Sequence, residues 1–280
     1  MTDVMSWIGK QEIVQEQLDP QRVRQLATTL NRPMKCQVGE QLPALWHWII
    51  TVAAIPIDQL GRDGHAQKGL FLPPVDLPRR MWAGGRFEFR QALTLGEQVT
   101  RTSTIEDIQY KQGRSGELAF VTVSHRMEDG LGGYVYEEHD IVYRQDAKPK
   151  GPASVANEPL LDAQQSQWQM TIKADPVMLF RYSALTFNGH RIHYDREYAA
   201  FEGYAGLVVH GPMVATYMLE LVREHLPRSK ITQFAFRALR PIVDYQAFTV
   251  HGCQQGSKVL VWATDDLGQR AMQGEADLEN

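Results

Sequence analysis

Residues 180–199 read FRYSALTFNGHRIHYDREYA, and shortly after them residues 206–212 read GLVVHGP. The first stretch places an amide, Asn188, five residues before an imidazole, His193, with a backbone turn between them. An imidazole titrates near neutral pH and can shuttle a proton, whereas an amide can orient a water molecule but cannot take its proton. The second stretch puts a Gly-Pro pair at the start of an apolar helix, where backbone N–H groups favour negative charge. Together the two stretches predict a proton shuttle, a water-orienting group and an oxyanion site.

This motif resembles that of the R-specific enoyl-thioester hydratases and dehydratases, the MaoC-like branch of the hotdog fold. The family pattern is approximately Ser-Gly-Asp-x-Asn-Pro-(Ile/Leu)-His-x-Asp. On it, Asn188 stands at the first Asp, His190-Arg191 stand at Asn-Pro, and Ile192-His193 match. The Asp-to-Asn departure matters most, because that Asp is taken to help orient or activate the water. A long variant of the family includes fungal-type thioester dehydratases and the hydratases of itaconyl-CoA and mesaconyl-C4-CoA. It is similar to this chain over most of its length and has TFN-x-HRIHYD as its signature.

The resemblance implies a hydro-lyase that adds or removes water across the α,β double bond of a short acyl-CoA, such as itaconyl-CoA or mesaconyl-C4-CoA. His193 is then the general acid/base, and Asn188 orients the water. The N–H of Gly211, with another group nearby, stabilises the thioester oxygen, since Pro212 has no N–H. No cofactor is expected, because coenzyme A is part of the substrate. The expected partner is the acyl-CoA itself, and a homodimer or higher homo-oligomer is left open.

Several side chains around the motif are candidates for substrate contact. His190 is expected to be a hydrogen-bond partner inside the motif. In the resembled subfamily the acyl group is often a short dicarboxylate, and a distal carboxylate would pair with a guanidinium. Arg181 and Arg191 flank the motif and are the first candidates, with Arg79 and Arg80 as alternatives from the first half. An ordinary salt bridge would explain any of these four arginines as simply.

The phosphates of coenzyme A need basic partners as well. Arg237 and Arg240 lie on a predicted strand with two phenylalanines. They are candidates for the nucleotide phosphates, and a solvated strand face is an equally good explanation.

A metal ion is not predicted. His190, His193 and Asp195 have a suggestive spacing, but a further ligand would have to be His210, and nothing else in the sequence supports it. Asp195 is expected to anchor the loop after His193, and His210 is expected to pack behind the Gly211 turn.

Three other functions compete with the hydratase. The nearest is a 3-hydroxyacyl-thioester dehydratase of fatty-acid synthesis. A hotdog thioesterase is of another class, but such enzymes commonly have a carboxylate on the central helix, and here Glu220 comes late in the helix. A non-catalytic acyl-binding module is supported only by the Asp-to-Asn departure at Asn188.

Composition limits the remaining classes. The chain has 280 residues, of which 43% are hydrophobic and 22% charged, as in globular proteins. A net charge of −4 argues against nucleic-acid binding, and no apolar run is long enough to predict a membrane span. The first residues lack the pattern of a signal peptide. Cys36 and Cys253 are far apart and fit reduced thiols. We therefore expect a cytoplasmic protein.

The chain reads as a repeat of two halves. Residues 19–31 (DPQRVRQLATTLN) and 175–188 (DPVMLFRYSALTFN) both open with Asp-Pro, which favours a helix start, and both end in Asn. In each half an apolar helix is predicted to follow, over residues 42–60 and 212–225. At the place of the imidazole the first half has Cys36, so one active site per chain is expected.

Four β-patterned segments follow each predicted helix, separated by turn signals. In the first half they are GRFEFRQAL, QVTRTSTIEDIQYK, ELAFVTVSHRME and YVYEEHDIVYR, and in the second ITQFAFRALRP, AFTVHGCQQ, KVLVWATD and RAMQGEADL. We predict an α+β double hotdog, in which two antiparallel sheets each wrap a central helix. A degenerate N-terminal hotdog (1–144) is joined by a polar linker (145–166) to a catalytic C-terminal hotdog (167–280).

Overall fold

The computed structural model describes residues 3–113, 116–145 and 166–279. Within them lie four α-helices: α1 (Pro20–Thr29), α2 (Pro176–Leu185), α3 (Arg196–Phe201) and α4 (Gly211–His225). The strands of the same part of the chain are β1 (Gln11–Gln17), β2 (Arg79–Gln91), β3 (Gln98–Gly113), β4 (Gly116–Asp129), β5 (Tyr134–Arg144), β6 (Trp168–Lys173), β7 (Lys230–Ala238), β8 (Ala247–Gln255), β9 (Lys258–Thr264) and β10 (Arg270–Glu279). None of these helices is both long and apolar enough to cross a membrane.

The chain divides into two compact units. The first unit is Met1–Asp146 with Phe180–Arg191, and the second is Ala147–Leu179 with Ile192–Asn280. The segment Phe180–Arg191 thus groups with the first unit, although it lies within the predicted C-terminal hotdog. Apart from its two end residues, the predicted linker 145–166 lies outside the described residues. The predicted domain boundaries remain a prediction.

Each unit contains a five-stranded antiparallel arrangement. In the first unit the order is β1-β3-β4-β5-β2. In the second unit it is β7-β10-β9-β8-β6. All eight strands predicted from alternation are found. Strands β1 and β6 were not predicted. Each occupies one end of its order, and over most of their length their side chains alternate only between exposed and half-buried. Strands that bury so little have a weak hydrophobic signal.

The central helix of the second unit is formed as predicted. Helix α4 runs from Gly211 to His225, and every residue from Met213 to Val222 is buried. It packs against β6, β8, β9 and β10. The proline near its start supplies a preset φ angle where a backbone N–H is not needed.

The helix predicted over residues 42–60 is wrong. This segment has only two short 3-10 turns, Trp46–Ile49 and Ile57–Gln59. Leu45 and Thr51 adopt left-handed backbone angles, with φ of 68° and 53°, which no α-helix can contain. The apolar side chains are buried nonetheless, because Trp46 is fully covered without a helix to carry it. The apolar pattern of residues 42–60 therefore predicted burial correctly and secondary structure incorrectly.

The repeat is real, but its alignment needs a correction of one residue. Helices α1 and α2 each have 10 residues and begin directly after an Asp. Each is followed by a left-handed residue, Asn31 with φ 53° and Phe187 with φ 51°. By backbone geometry, Asn31 therefore corresponds to Phe187 and not to Asn188.

The hydrogen bonds at the two helix ends give the same result. The N–H of Arg32 donates to Ala27 O, and the N–H of Asn188 donates to Ser183 O, both at 2.8 Å. This bond closes a Schellman helix end. The bond aligns Arg32 with Asn188, and His193 lies five residues after Asn188. The position of His193 therefore corresponds to Gln37, five residues after Arg32, rather than to Cys36. The first half thus keeps neither the amide nor the imidazole of the motif.

Candidate active site

The proposed general base, His193, is held in one tautomer. It ends a 3-10 turn, Arg191–His193, and is 7% exposed. Its Nδ1 lies 2.7 Å from the carbonyl oxygen of Val208. A carbonyl only accepts, so Nδ1 carries the hydrogen and Nε2 is the basic nitrogen of the neutral ring. The ring is therefore set to use Nε2 for proton transfer.

The carbonyl of Val208 is itself fixed by backbone pairing. The N–H of Val208 donates to Ile192 O at 2.9 Å, and Val208 forms an isolated bridge with Val243. The buried carboxylate of Asp244 accepts the N–H of Leu207 at 3.0 Å. The orientation of the His193 ring thus depends on a short, tightly bonded segment of the second unit.

Asp244 is a buried structural support of this segment that sequence reasoning missed. Its side chain is 2% exposed and pairs with Arg196 at 2.6 Å. A Cβ on Gly206 would come within 2.8 Å of its Oδ1, so a glycine is needed at that position. Asp244 lies far from the motif in sequence, and no spacing rule connects it to His193.

His210 lies against the base. Its ring stacks on His193, with centroids 3.7 Å apart and planes 18° apart, and it is fully buried as the N-cap residue of α4. We expected it behind the Gly211 turn; it instead packs on the imidazole face. The two rings restrict each other's rotation.

Asn188 has its amide fixed by a turn within the motif. Its Oδ1 accepts the N–H of His190 at 3.0 Å. This bond settles which way the amide faces and makes the NH2 group the part of Asn188 that can donate to a ligand. The bond thus leaves Asn188 both the NH2 donors and one lone pair of Oδ1 for the predicted orientation of water.

Gly211 is the first residue of α4, where backbone N–H groups have no partner within the helix. A Cβ there would meet only Met272 Cε, at an ordinary 3.8 Å. Within the described residues, crowding does not explain a glycine at this position. The oxyanion role predicted for Gly211 remains a prediction.

His190 belongs to a second cluster, in the first unit. It is 8% exposed, and its ring lies 4.1 Å from that of His65. His65 Nδ1 is 2.9 Å from Asp63 Oδ2. Burial alone would raise the pKa of Asp63, but the hydrogen bonds and charge of His65, with Arg80, hold it well below its ordinary value. Asp63 is therefore an ionised carboxylate beside two imidazoles.

The candidate arginines are placed differently from one another. Arg80 lies 3.9 Å from Asp63 and donates to Ala66 O at 2.9 Å. Arg191 Nη1 donates to Arg62 O at 3.2 Å, and the backbone N–H of Arg191 donates to Asp63 O at 2.9 Å. Two of the four candidates for the distal carboxylate thus meet at the Asp63 loop.

The other candidate arginines differ in burial and in the element that carries them. Arg79 is buried in β2, and Arg181 is exposed on α2. Arg237 is exposed on β7 next to buried Phe236. Arg240 lies beyond the end of β7 at Ala238, which corrects its expected place on the strand.

Two groups in the described residues have the composition of a metal site. They are Asp63, His65 and His190, and His125, Glu137 and His139, each with candidate ligand atoms within 4.8 Å of one another. In the first group the guanidinium of Arg80, 3.9 Å from Asp63, opposes a further cation. The prediction of no metal remains a prediction.

The second group belongs to a buried polar network that the sequence did not reveal. Glu137 is 1% exposed and lies 3.0 Å from His47 Nε2, 2.9 Å from Trp48 Nε1 and 3.1 Å from His139 Nε2. Burial alone would raise the pKa of Glu137, but His139 and His47 hold it well below its usual range. Burial lowers the pKa of His125. The four ionisable residues are scattered in sequence; the only local signal is Glu137 and His139 on one face of β5.

The acid of the central helix is already paired. Glu220 is buried on α4, and both of its oxygens accept from Arg223. A carboxylate in this state does not activate water for thioester hydrolysis. This disfavours the thioesterase interpretation.

The fold is that of the MaoC-like dehydratases. A MaoC-like dehydratase from Phytophthora capsici superposes with a TM-score of 0.70 at 15% identity, covering 99% of this chain and 98% of that one. At such identity the likeness establishes the fold alone. It confirms the predicted α+β hotdog class.

Sequence comparison narrows this class to one family. The model of hydroxyacyl-thioester dehydratase type 2 matches residues 45–244. The chain is 41% identical over 279 residues to mesaconyl-C(4)-CoA hydratase of Chloroflexus aurantiacus, covering 99% of this chain and 98% of that protein. It is 27% identical over 250 residues to the mitochondrial hydroxyacyl-thioester dehydratase type 2 of Schizosaccharomyces pombe, covering 79% and 81%. The chain belongs to the hydroxyacyl-thioester dehydratase type 2 family and is a hydro-lyase.

Proposed function

We propose that the protein adds or removes water across the α,β double bond of a short dicarboxylic acyl-CoA, with mesaconyl-C4-CoA as substrate. Itaconyl-CoA, the other candidate, has its double bond β,γ to the thioester and must first shift a proton from the α- to the γ-carbon to give the α,β isomer. The full-length similarity to a mesaconyl-C(4)-CoA hydratase supports this acyl class. The chemistry is supported most by one observation, the bond from His193 Nδ1 to Val208 O, which leaves Nε2 as the base.

In the hydration direction, His193 Nε2 takes a proton from water as the water oxygen bonds to the β-carbon. The π electrons move onto the thioester as an enolate, whose oxygen is stabilised by the N–H of Gly211. The imidazolium then gives its proton to the α-carbon. One base serving both steps favours syn addition, and the NH2 of Asn188 holds the water oxygen. These roles for His193, Asn188 and Gly211 are proposals.

The test is a panel of CoA thioesters followed by mass spectrometry. The panel contains mesaconyl-C4-CoA, itaconyl-CoA, crotonyl-CoA and a longer enoyl-CoA. A gain of one water on the dicarboxylic thioesters, at a kcat/KM at least tenfold above that on crotonyl-CoA, is expected. Preference for the monocarboxylic thioesters would contradict the proposal, and release of free coenzyme A would indicate a thioesterase.

The second candidate is a 3-hydroxyacyl-thioester dehydratase of fatty-acid synthesis. The similarity to the fission-yeast dehydratase favours it. The same panel separates the two, because a fatty-acid enzyme accepts the longer enoyl thioester.

We infer further that the reaction needs no cofactor and that the protein acts in the cytoplasm. Both cysteines, Cys36 and Cys253, are free and buried, which suits a reducing compartment. A homodimer or higher homo-oligomer is proposed from the fold class, and light scattering coupled to gel filtration tests it.

A further inference from the structure

We propose that Asp63 and His65 act as a positioning pair for the motif. The pair holds His190 in place and supplies the negative charge that the motif lacks at Asn188. The inference rests on the proposed hydration chemistry but not on the identity of the acyl group. Nothing in the sequence motif points to these residues, since they lie more than 110 residues before it.

The first step is the contact between the pair and the motif. Asp63 Oδ2 is 2.9 Å from His65 Nδ1, and the ring of His65 lies 4.1 Å from that of His190. His190 is three residues before His193 in the chain. A carboxylate bonded to a histidine fixes the ring's tautomer and orientation and raises the basicity of its other nitrogen. The pair therefore acts on the motif through His190.

The second step is the backbone, which holds the pair in place. Gly64 has φ +84°, and a Cβ on it would lie 2.0 Å from Gly189 O. The N–H of Arg191 donates to Asp63 O at 2.9 Å. The loop at Asp63 and the loop at His190 are thus in direct backbone contact. Such contact leaves no room for a side chain at Gly64, and it fixes the register of the two loops.

The third step is charge. The family pattern has a carboxylate where this chain has Asn188, and an amide cannot carry negative charge. Asp63 restores a carboxylate next to the motif, as an ionised group. The charged and titratable groups that act on it are His65 and Arg80, and it contributes in turn to the electrostatics of Lys68 and Tyr143. Removing this carboxylate should therefore change the proton affinity of the His190 imidazole.

The test compares Asp63→Asn and His65→Gln with a control, Asp58→Asn. Asp58 is an exposed carboxylate on the neighbouring 3-10 turn and undergoes the same chemical change. Removing a residue that orients a catalytic group typically costs 10- to 100-fold. We expect kcat to fall by about this factor in Asp63→Asn, with KM changed less than threefold, and the control to match wild type. Asp63→Glu should recover part of the loss.

The pH profile separates positioning from a merely structural role. In Asp63→Asn the limb of the kcat profile that reports imidazole protonation should move to lower pH, because the imidazoles lose a stabilising negative charge. NMR titration of the His190 ring should move in the same direction without any turnover. An unchanged profile and an unchanged His190 titration would overturn the proposal, as would wild-type kcat. Should Asp63→Asn fail to fold, partly exposed His65→Gln tests the positioning role through the fall in kcat, because it removes the ring that contacts His190 and leaves the carboxylate in place.

Failure of the proposed substrate is distinguishable from failure of this pair. All variants are measured on whichever enoyl thioester wild type hydrates best. If that thioester is monocarboxylic, the substrate proposal is wrong. The comparison of the Asp63 and His65 variants with wild type still tests the positioning pair independently.

Discussion

His193 has its two nitrogens differentiated by one hydrogen bond to Val208. Replacing it with alanine removes the only base proposed for the reaction. We expect kcat to fall by about 10²- to 10⁴-fold in His193→Ala, which is the usual contribution of general acid–base catalysis. Circular dichroism should show the fold retained. Turnover close to wild type would exclude His193 as the base.

Gly211 gives a prediction in which stability and activity move in opposite directions. Alanine fits there, since its Cβ would be 3.8 Å from the nearest atom, and Gly-to-Ala changes at compatible sites stabilise by about 0.4–1 kcal/mol. We expect Gly211→Ala to keep or raise Tm while kcat/KM falls at least tenfold, because the methyl group obstructs the thioester.

Gly274→Ala makes the same chemical change at a half-buried strand position and tests the steric argument for Gly211→Ala. Its Cβ would lie 2.6 Å from the carbonyl oxygen of Ala235, so we expect a lower Tm. An active, stable Gly211→Ala enzyme would argue against close approach of the substrate to this N–H.

Among the elements, strands were predictable because alternation is a direct consequence of one buried face. The segment over residues 42–60 failed because burial in a non-helical loop and burial in a helix select the same apolar side chains. Left-handed angles at Leu45 and Thr51 leave no recognisable signal in those residue types. The equivalence of Asn31 with Phe187 likewise follows from backbone angles. The sequence alone suggests a different alignment, because Asn31 is identical to Asn188, one position further on.

The loop at Gly64 provides a test of element-to-element contact. Gly64 and Gly9 both have φ +84°, so alanine is strained equally at either position. Only at Gly64 does the added Cβ meet another backbone, at 2.0 Å, whereas at Gly9 it meets nothing within 4 Å. We expect Gly64→Ala to lower Tm more than Gly9→Ala and to reduce kcat, as measured by thermal unfolding and turnover. Equal effects of the two changes would contradict a fixed register between the loops.

At the scale of the whole molecule, the sequence identified the fold class and the family but not the residues that surround the motif. Asp63, His65 and Asp244 reach their positions through tertiary folding, and each is an ordinary polar residue in its local sequence. The motif was recognisable because its residues are consecutive in one turn. The buried network around Glu137 combines β5 with residues 47 and 48, and no local pattern connects these segments.

The network around Glu137 gives the protein a stability that should depend on acid pH. The folded-state pKa of Glu137 lies well below the ordinary value of 4.5, so the unfolded chain binds its proton first as pH falls. The stabilisation is therefore complete above about pH 4.5 and is lost as pH decreases through the folded-state pKa. Glu137→Gln leaves His47 and His139 facing an amide. Because a hydrogen bond to a charged group contributes about 1.5–3 kcal/mol, we expect a loss of this size at pH 7 and a flatter acid limb.

The control for Glu137 is its neighbour in sequence, Glu138, which is paired with Arg86 at the surface. Exposed pairs contribute about 0–1 kcal/mol, so Glu138→Gln should unfold in urea almost as wild type does. Urea unfolding of the three proteins between pH 3 and pH 7 measures both quantities. Since Glu137 has no role in the proposed chemistry of His193, Glu137→Gln should leave kcat within a few-fold of wild type wherever it remains folded. A Glu137→Gln protein as stable as the control would show that the imidazoles around this carboxylate do not need its charge.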